Sequence, residues 1–484
     1  MITANSQRFS KIIIPVLFAL VSVLIYYSNV LVSSLIPEKD LTWMVKAAVL
    51  GSGLVILVLF MFVKLHAALK VMPLIIVILM SQTGYSYKLG QGFTSVLEVL
   101  TISVLITVLL SRALSGKEVF YRTFLDWKLY VYSLASLIAV ITGVVFGVDK
   151  LNILLEFKSY TLYVVYVFIL GTVIREWRQL NYLVGLILIM SLIPVVYALM
   201  GVFDIENPVA ERLEVVHWGP LNIYMGYIVP LFFLAIYCFF KTRRIWLKVA
   251  LGVYLGVVTY SIFLSQTRSA WIALAVGIVL FTIVGRRKIF IGVIVSLIFA
   301  ILAYAPLGEK AGSVAKRRMI EETFLSPDHS LRTRYESWET AWSVFKRYPV
   351  TGTGWGSFFI ELDDGQLSSR SLHFLPRWHN SYLEILSQAG LLGLISFLLV
   401  WYTLLTRAFK EILKRSSTHQ ELLIGLTCAV VSCLVYAMGE QQFYRIETAC
   451  LTWFLVGLLV AAIQLKGGEK QARPLENHGN HKST

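Results

Sequence analysis

Long apolar runs with almost no charge recur along this chain, at 12–37, 47–63, 71–87, 94–111, 129–148, 159–174, 181–203, 215–240, 249–267, 269–285, 289–307, 385–406, 422–439 and 448–465. About 20 mostly apolar residues, with a range of about 17–25, let an α-helix cross the hydrocarbon core of a bilayer. Within that core every backbone N–H and C=O must be satisfied by protein, so only helices and closed barrels can span it. The runs therefore predict an all-α polytopic membrane protein of about 12–14 transmembrane helices, with those at 71–87 and 159–174 the marginal ones. Composition supports this: charged residues make up 15% and mean hydropathy is +0.73, against about 25% charged in an ordinary soluble domain. A cytosolic enzyme, a secreted disulfide scaffold and a disordered chain are excluded. The four cysteines (Cys238, Cys428, Cys433, Cys450) all fall in apolar stretches, where no disulfide or zinc framework is expected. The first run is followed by further spans and lacks a small-residue cleavage motif, so it reads as a span and not as a removed leader.

The distribution of basic residues sets the expected orientation. With the N-terminus inside, the inner segments hold clusters such as Lys241, Arg243, Arg244 and Lys248, then Arg286, Arg287 and Lys288, then Arg407, Lys410, Lys414 and Arg415. The short outer segments hold only Lys39, Lys46, Lys88, Lys150, Lys158, Arg212, Arg268 and Arg445. Cytoplasmic loops carry the excess of Lys and Arg, so both termini are expected in the cytoplasm. The net charge of +15 is then mostly topology, and no nucleic-acid partner is implied. No G-x-x-x-x-G-K-[ST] run is present, which argues against ATP-driven work by this chain. The expected organisation is spans 1–11 over 1–305, one large structured extracytoplasmic loop over 306–381, spans 12–14 over 382–465, and a disordered cytoplasmic tail over 466–484.

Inside the loop, Leu331, Tyr335, Trp338, Ala341, Trp342 and Phe345 recur at helical spacing, which predicts an amphipathic helix with its apolar face down. Arg332, Arg334, Glu336, Glu339 and Lys346 fall on its other side, and Pro349 ends it. Such a helix either lies on a membrane surface or roofs a cavity between spans; the roof is the expectation. Gly352-Thr353-Gly354-Trp355-Gly356 follows without a preceding strand and reads as a flexible turn, not a dinucleotide loop. Arg377-Trp378-His379-Asn380-Ser381-Tyr382 then leads into the next span.

Several positions carry candidate chemistry. His379 sits at the mouth of a helix, where the positive end of the dipole favours a neutral imidazole. A neutral imidazole can accept a hydroxyl proton near pH 7; an interfacial histidine bonded to headgroups or backbone is the alternative. Arg212 and Arg268 lie at the same outer boundary, and a guanidinium fork suits phosphate oxygens, although snorkelling to lipid phosphate also fits Arg268. Glu98, inside the span 94–111, reads as the ion-pair partner of an arginine, with a proton-transfer role as the alternative. Asp363-Asp364 with His373 is a weak metal motif, so the expectation is no metal. Glu440 and Arg445 are weaker candidates at the same face.

His379-Asn380, nine residues, then Gly390-Leu391-Leu392-Gly393 resembles the H-[NSQ]-X9-G-X-X-G signature of the O-antigen ligase and Wzy-type polymerase superfamily. The surrounding pattern agrees: Thr267-Arg268-Ser269, Arg334 with Trp338, and Pro349 before the glycine run. The similarity spans roughly residues 205–400. It implies a glycosyltransferase of the C type that uses no metal, cofactor or nucleotide sugar. Such enzymes transfer a glycan from undecaprenyl diphosphate to an acceptor hydroxyl on the outer face of the cytoplasmic membrane. The resemblance places Arg212 and Arg268 at the diphosphate and His379 at the acceptor hydroxyl, with Arg334 as a charge partner; Asn380 and, from its place at the outer face alone, Glu440 are candidate supporting residues. Implied partners are the lipid-linked oligosaccharide, membrane lipids, and flippase and chain-length proteins. Ligases often continue the Gly-x-x-Gly with threonines, whereas Leu394-Ile395-Ser396 follow here. A polymerase therefore fits at least as well, for instance one building teichuronic acid in a Gram-positive wall. A transporter or flippase of lipid-linked glycan is the reading from another class; it would place charges nearer the bilayer midplane.

Overall fold

A computed structural model describes residues 122–203, 221–285, 329–357, 378–414 and 419–471, together with a few positions between 88 and 108. The runs at 12–37, 47–63, 71–87 and 289–307, and nearly all of 94–111, lie outside the described residues. Lys88–Leu89 and Thr94–Ser95 form one short antiparallel pair. Everything else regular is helical, in the order α1 Asp126–Val145, α2 Lys150–Thr161, α3 Val165–Val173, α4 Trp177–Met190, α5 Leu192–Phe203, α6 Leu221–Lys241, α7 Ile245–Leu264, α8 Arg268–Val284, α9 His329–Arg347, α10 Ser381–Leu413, α11 Gln420–Tyr436 and α12 Ile446–Gln471. Among the described residues, seven helices are long and apolar enough to cross a membrane, and α8 and α11 are shorter apolar helices. The chain is an all-α, multi-pass membrane protein.

The outward faces show why. On α1, Trp127, Tyr130, Leu134, Leu137 and Ile141 are exposed while Leu129, Tyr132, Ser136 and Ala139 are buried. A helix that is apolar on both its packed and its outer face needs an apolar solvent around it. The marginal stretch 159–174 becomes the end of a longer path: α2 passes through one 3-10 turn, Leu162–Val164, into α3. At the opposite end of the chain, α12 continues to Gln471, past the expected start of a disordered tail. Buried Lys466 anchors it there by donating to the Glu411 carbonyl at 2.6 Å.

Two features of the expected loop are corrected. On α9 the inward seam is Leu331, Arg334, Ser337 and Ala341, while Tyr335 and Trp342 are 45% and 46% exposed. The helix is rotated from its apolar stripe because Arg334 is drawn inward by charge, as described below. The run Gly352–Gly356 is not flexible. It is a buried plug that mends a broken helix. Within α10, Gly390 adopts φ 64° and ψ −163° and interrupts the helical ladder. The orphaned carbonyls of Ser387 and Gln388 accept from Thr353 and Gly354 N–H (3.2 and 2.8 Å), and Leu391 and Leu392 N–H donate to the carbonyls of Pro349 and Val350 (2.9 and 3.2 Å). Irregular backbone at membrane depth survives only when protein satisfies it in this way. The approach requires glycine: a Cβ on Gly354 would lie 2.0 Å from Gly143 N, and one on Gly390 would lie 2.2 Å from the Val350 carbonyl oxygen. Gly390 thus admits the close approach of a loop. Trp355, fully buried, locks the plug by donating to the Ser136 carbonyl at 3.1 Å and stacking on Tyr160.

Candidate functional site

The starts of α6, α8, α10 and α12 and the end of α11 meet at one end of the bundle, and α9 packs over α10 there. His379 immediately precedes α10. Its backbone lies at φ 44°, a left-handed conformation that costs a non-glycine residue about 1–3 kcal/mol and persists only where surroundings enforce it. Those surroundings are visible. On one side, Trp338 of α9 donates its indole N–H to the Trp378 carbonyl at 2.6 Å. On the other, Asn380 caps α10, its side-chain oxygen accepting from Tyr382 and Leu383 N–H (3.0 and 3.1 Å). Next, Ser381 N–H donates to the Ala437 carbonyl and Ser381 Oγ to the Glu440 carbonyl, which joins this corner to the turn between α11 and α12.

That turn delivers Glu440. Its carboxylate is buried and accepts three contacts: Arg334 on Oε1 at 2.6 Å, and His379 Nδ1 and Asn222 Nδ2 on Oε2 at 3.1 and 3.0 Å. The second arm of the Arg334 fork donates to the Gly439 carbonyl at 2.6 Å, so α9 clamps the turn bidentately. Burial pushes the Glu440 carboxyl up, but the His379 hydrogen bond and the Arg334 charge outweigh it and hold it below its ordinary value. An ionised carboxylate only accepts hydrogen bonds. His379 Nδ1 must therefore carry its proton, and in the neutral ring Nε2 is the acceptor. Among the described residues Nε2 has no hydrogen-bond partner, and His379 lines a cavity of about 40 Å³ with Asn222, Glu440, Gln441, Gln442 and Arg445.

Arg268 opens α8, directly after a tight turn in which Gln266 holds φ 50° and Thr267 N–H donates to Ser265 Oγ at 3.1 Å. Its neighbour Ser269 packs on the Glu440 turn so closely that a Cβ on Gly439 would lie 2.9 Å from Ser269 Cβ. The start of α8 is therefore adjacent to the Arg334–Glu440–His379 chain, and Arg268 is half-buried there. Arg212, Glu98, Asp363, Asp364 and His373 lie outside the described residues. The structure thus brings together His379, Glu440 and Arg334, places the Arg268 backbone beside them and gives Asn380 a capping task. Asn222 is the residue sequence reasoning passed over. Its only visible signal was its place at the opening of a span, in Gly219-Pro220-Leu221-Asn222.

A histidine oriented by a buried carboxylate at one end of an all-α membrane bundle defines a class of site able to take a proton from a hydroxyl. Residues 253–398, which include Arg268, α9 and His379, match the family model described as O-Antigen ligase. A protein named O-antigen ligase from Salmonella typhimurium is 24% identical over 229 residues, covering 45% of this chain and 54% of that protein. An uncharacterised protein of Haemophilus influenzae is 26% identical over 200 residues, covering 38% of this chain and 48% of its own. The chain thus spans about half the length of the curated relatives it matches. These similarities support the O-antigen ligase/Wzy-type superfamily. Glu440, Asn222 and Arg445 lie outside the matched family region.

Proposed function

We propose that this protein is a membrane glycosyltransferase that polymerises undecaprenyl-diphosphate-linked glycan units on the outer face of the cytoplasmic membrane. Its product would be a cell-surface polysaccharide such as teichuronic acid, and both termini would lie in the cytoplasm. The observation that carries the reading is the Glu440–His379 pair, with Arg334 fixing the carboxylate and Arg268 opening the adjacent helix. In the reaction, His379 Nε2 takes the proton of an acceptor hydroxyl as its oxygen attacks the anomeric carbon. The bond from that carbon to the diphosphate oxygen breaks, and the lipid diphosphate leaves with the electron pair. Attack opposite the leaving group inverts the anomeric centre. The Glu440 carboxylate stabilises the imidazolium that forms. Arg212 and Arg268 meet the charge developing on the diphosphate, so guanidinium groups stand where other transferases place a metal. A general base in this position contributes about 10²–10⁴-fold.

Ligation of the glycan to a different acceptor is the second reading, favoured by the name of the Salmonella relative. Both are tested with the full chain in nanodiscs, a defined lipid-linked repeat unit and gel sizing of products. A ladder indicates polymerisation, and a single capped acceptor indicates ligation. His379→Ala is expected to abolish either product while the protein stays folded; wild-type product from that variant would overturn the role of the imidazole.

A further inference from the structure

The transfer chemistry uses one wall of the cavity, formed by His379 and Glu440. Gln441, Gln442 and Arg445 are also in the lining and remain without a task. Gln442 is 1% exposed. Its Nε2 donates to the Gly226 carbonyl at 3.2 Å and to Thr452 Oγ1 at 3.0 Å, and its Oε1 is closed off against Gly226, so Gln442 braces the wall from behind. Gln441 is 6% exposed, and no hydrogen bond involves its side-chain amide among the described residues. Arg445, by contrast, is exposed. Within the described residues its guanidinium forms no ion pair, and it interacts electrostatically with buried Glu447. Glu440 is already matched by Arg334, so Arg445 is the cation left to the cavity wall. An unengaged Gln441 amide and an unclamped fork at one small cavity call for a ligand that brings both a hydroxyl and an oxyanion.

Size and position narrow the choice. One water needs about 10–15 Å³ of such space, so 40 Å³ holds a substituent the size of a carboxylate. Helices α8 and α12 both pack on α11, and α12 packs mainly on α3. Arg268, opening α8, and Arg445, just ahead of α12, therefore stand on different flanks of the α11 end. An arginine on the α8 flank suits the donor diphosphate, which leaves the α12 flank for the incoming acceptor.

We propose that Gln441 and Arg445 form an acceptor-side subsite for a sugar bearing an oxyanion substituent. Arg445 grips the oxyanion, and Gln441 Oε1 accepts from a neighbouring hydroxyl. The proposal rests on the glycosyl-transfer reading above for the word acceptor, but binding at the pocket can be measured without turnover. Three acceptor glycans identical except for one substituent (hydroxymethyl, carboxylate or phosphate) are titrated calorimetrically against the full chain in nanodiscs, with no donor present. The wild type should bind an anionic glycan about tenfold or more tighter than the neutral one, with the carboxylate and phosphate arms identifying the oxyanion. Arg445→Gln should bring that ratio toward one, and Arg445→Lys should retain part of it. Equal affinity for all three glycans, or discrimination that survives Arg445→Gln, overturns the subsite. Glycan transfer that proceeds with no such discrimination removes the subsite and leaves the transferase reading standing. Arg445-dependent discrimination with no transfer from any donor does the reverse.

Discussion

Replacing Glu440 with glutamine keeps the shape of the side chain, removes its charge and converts one acceptor oxygen into a donor. Arg334 has only N–H groups to offer at 2.6 Å, so the glutamine oxygen stays on that side. The new NH2 then faces His379 Nδ1 and Asn222 Nδ2, at positions now 3.1 and 3.0 Å from Oε2. To meet a donor, Nδ1 has to become the acceptor, and the ring proton moves to Nε2. The imidazole is left in the tautomer that cannot take a hydroxyl proton. The expected fall in kcat is the whole contribution of the base, about 10²–10⁴-fold. Exchanging a charge-assisted contact for a neutral one also costs stability, about 2 kcal/mol. The assay is the initial rate of transfer from a defined lipid-linked repeat in nanodiscs, with donor KM measured alongside. The KM should change far less than kcat, because the groups assigned to the diphosphate are untouched. A folded Glu440→Gln protein with near-wild-type kcat would refute the reasoning, since the carboxylate would then not be setting the tautomer.

Three further outcomes are expected. Arg268→Lys should lower kcat/KM for the lipid-linked donor severely, because a point charge lacks the planar fork; a donor titration indistinguishable from wild type would sink the diphosphate assignment. Gly354→Ala places a Cβ 2.0 Å from Gly143 N at φ +92°. Backbone strain of about 1–3 kcal/mol and overpacking of similar size should lower the thermal midpoint seen by tryptophan fluorescence, and an unchanged midpoint would contradict the buried plug. Glu440 is held below its ordinary carboxyl value, so its stabilisation is complete above the unfolded value of about 4.5 and is lost as pH falls through the lowered one. The stability gap between wild type and Glu440→Gln should hold steady above pH about 5 and narrow in stronger acid; a gap independent of pH would argue against an ionised Glu440.

Hydropathy made the bundle readable because a lipid solvent demands long apolar runs, and each helix from α1 to α12 other than the loop helix α9 overlaps one. Periodicity also located α9, since Leu331, Trp338 and Ala341 fall on one stripe. It gave the wrong rotation because one buried ion pair, Arg334 with Glu440, outweighs the aromatic surface of Tyr335 and Trp342. The glycine run was visible as a turn, but nothing in its composition tells a free turn from one that completes the hydrogen bonds of another helix. Glu440 was hardest to place. It approaches His379 across a turn between two later helices, and no spacing rule links a carboxylate to a histidine so far back in the chain. His379 and Arg268 stood out because charge and imidazole are scarce at the ends of apolar runs.

The break at Gly390 divides α10 into a long membrane rod and a short leading segment that carries the imidazole at its tip. That leading segment is held as a cantilever by the main chain of 349–354, while Trp338 pins Trp378 at its free end. Ser357 and Trp378 are each fastened separately, by Thr353 and by Trp338. A substitution anywhere in 349–354 should therefore reach the imidazole through the main chain, without touching any group that lines the cavity.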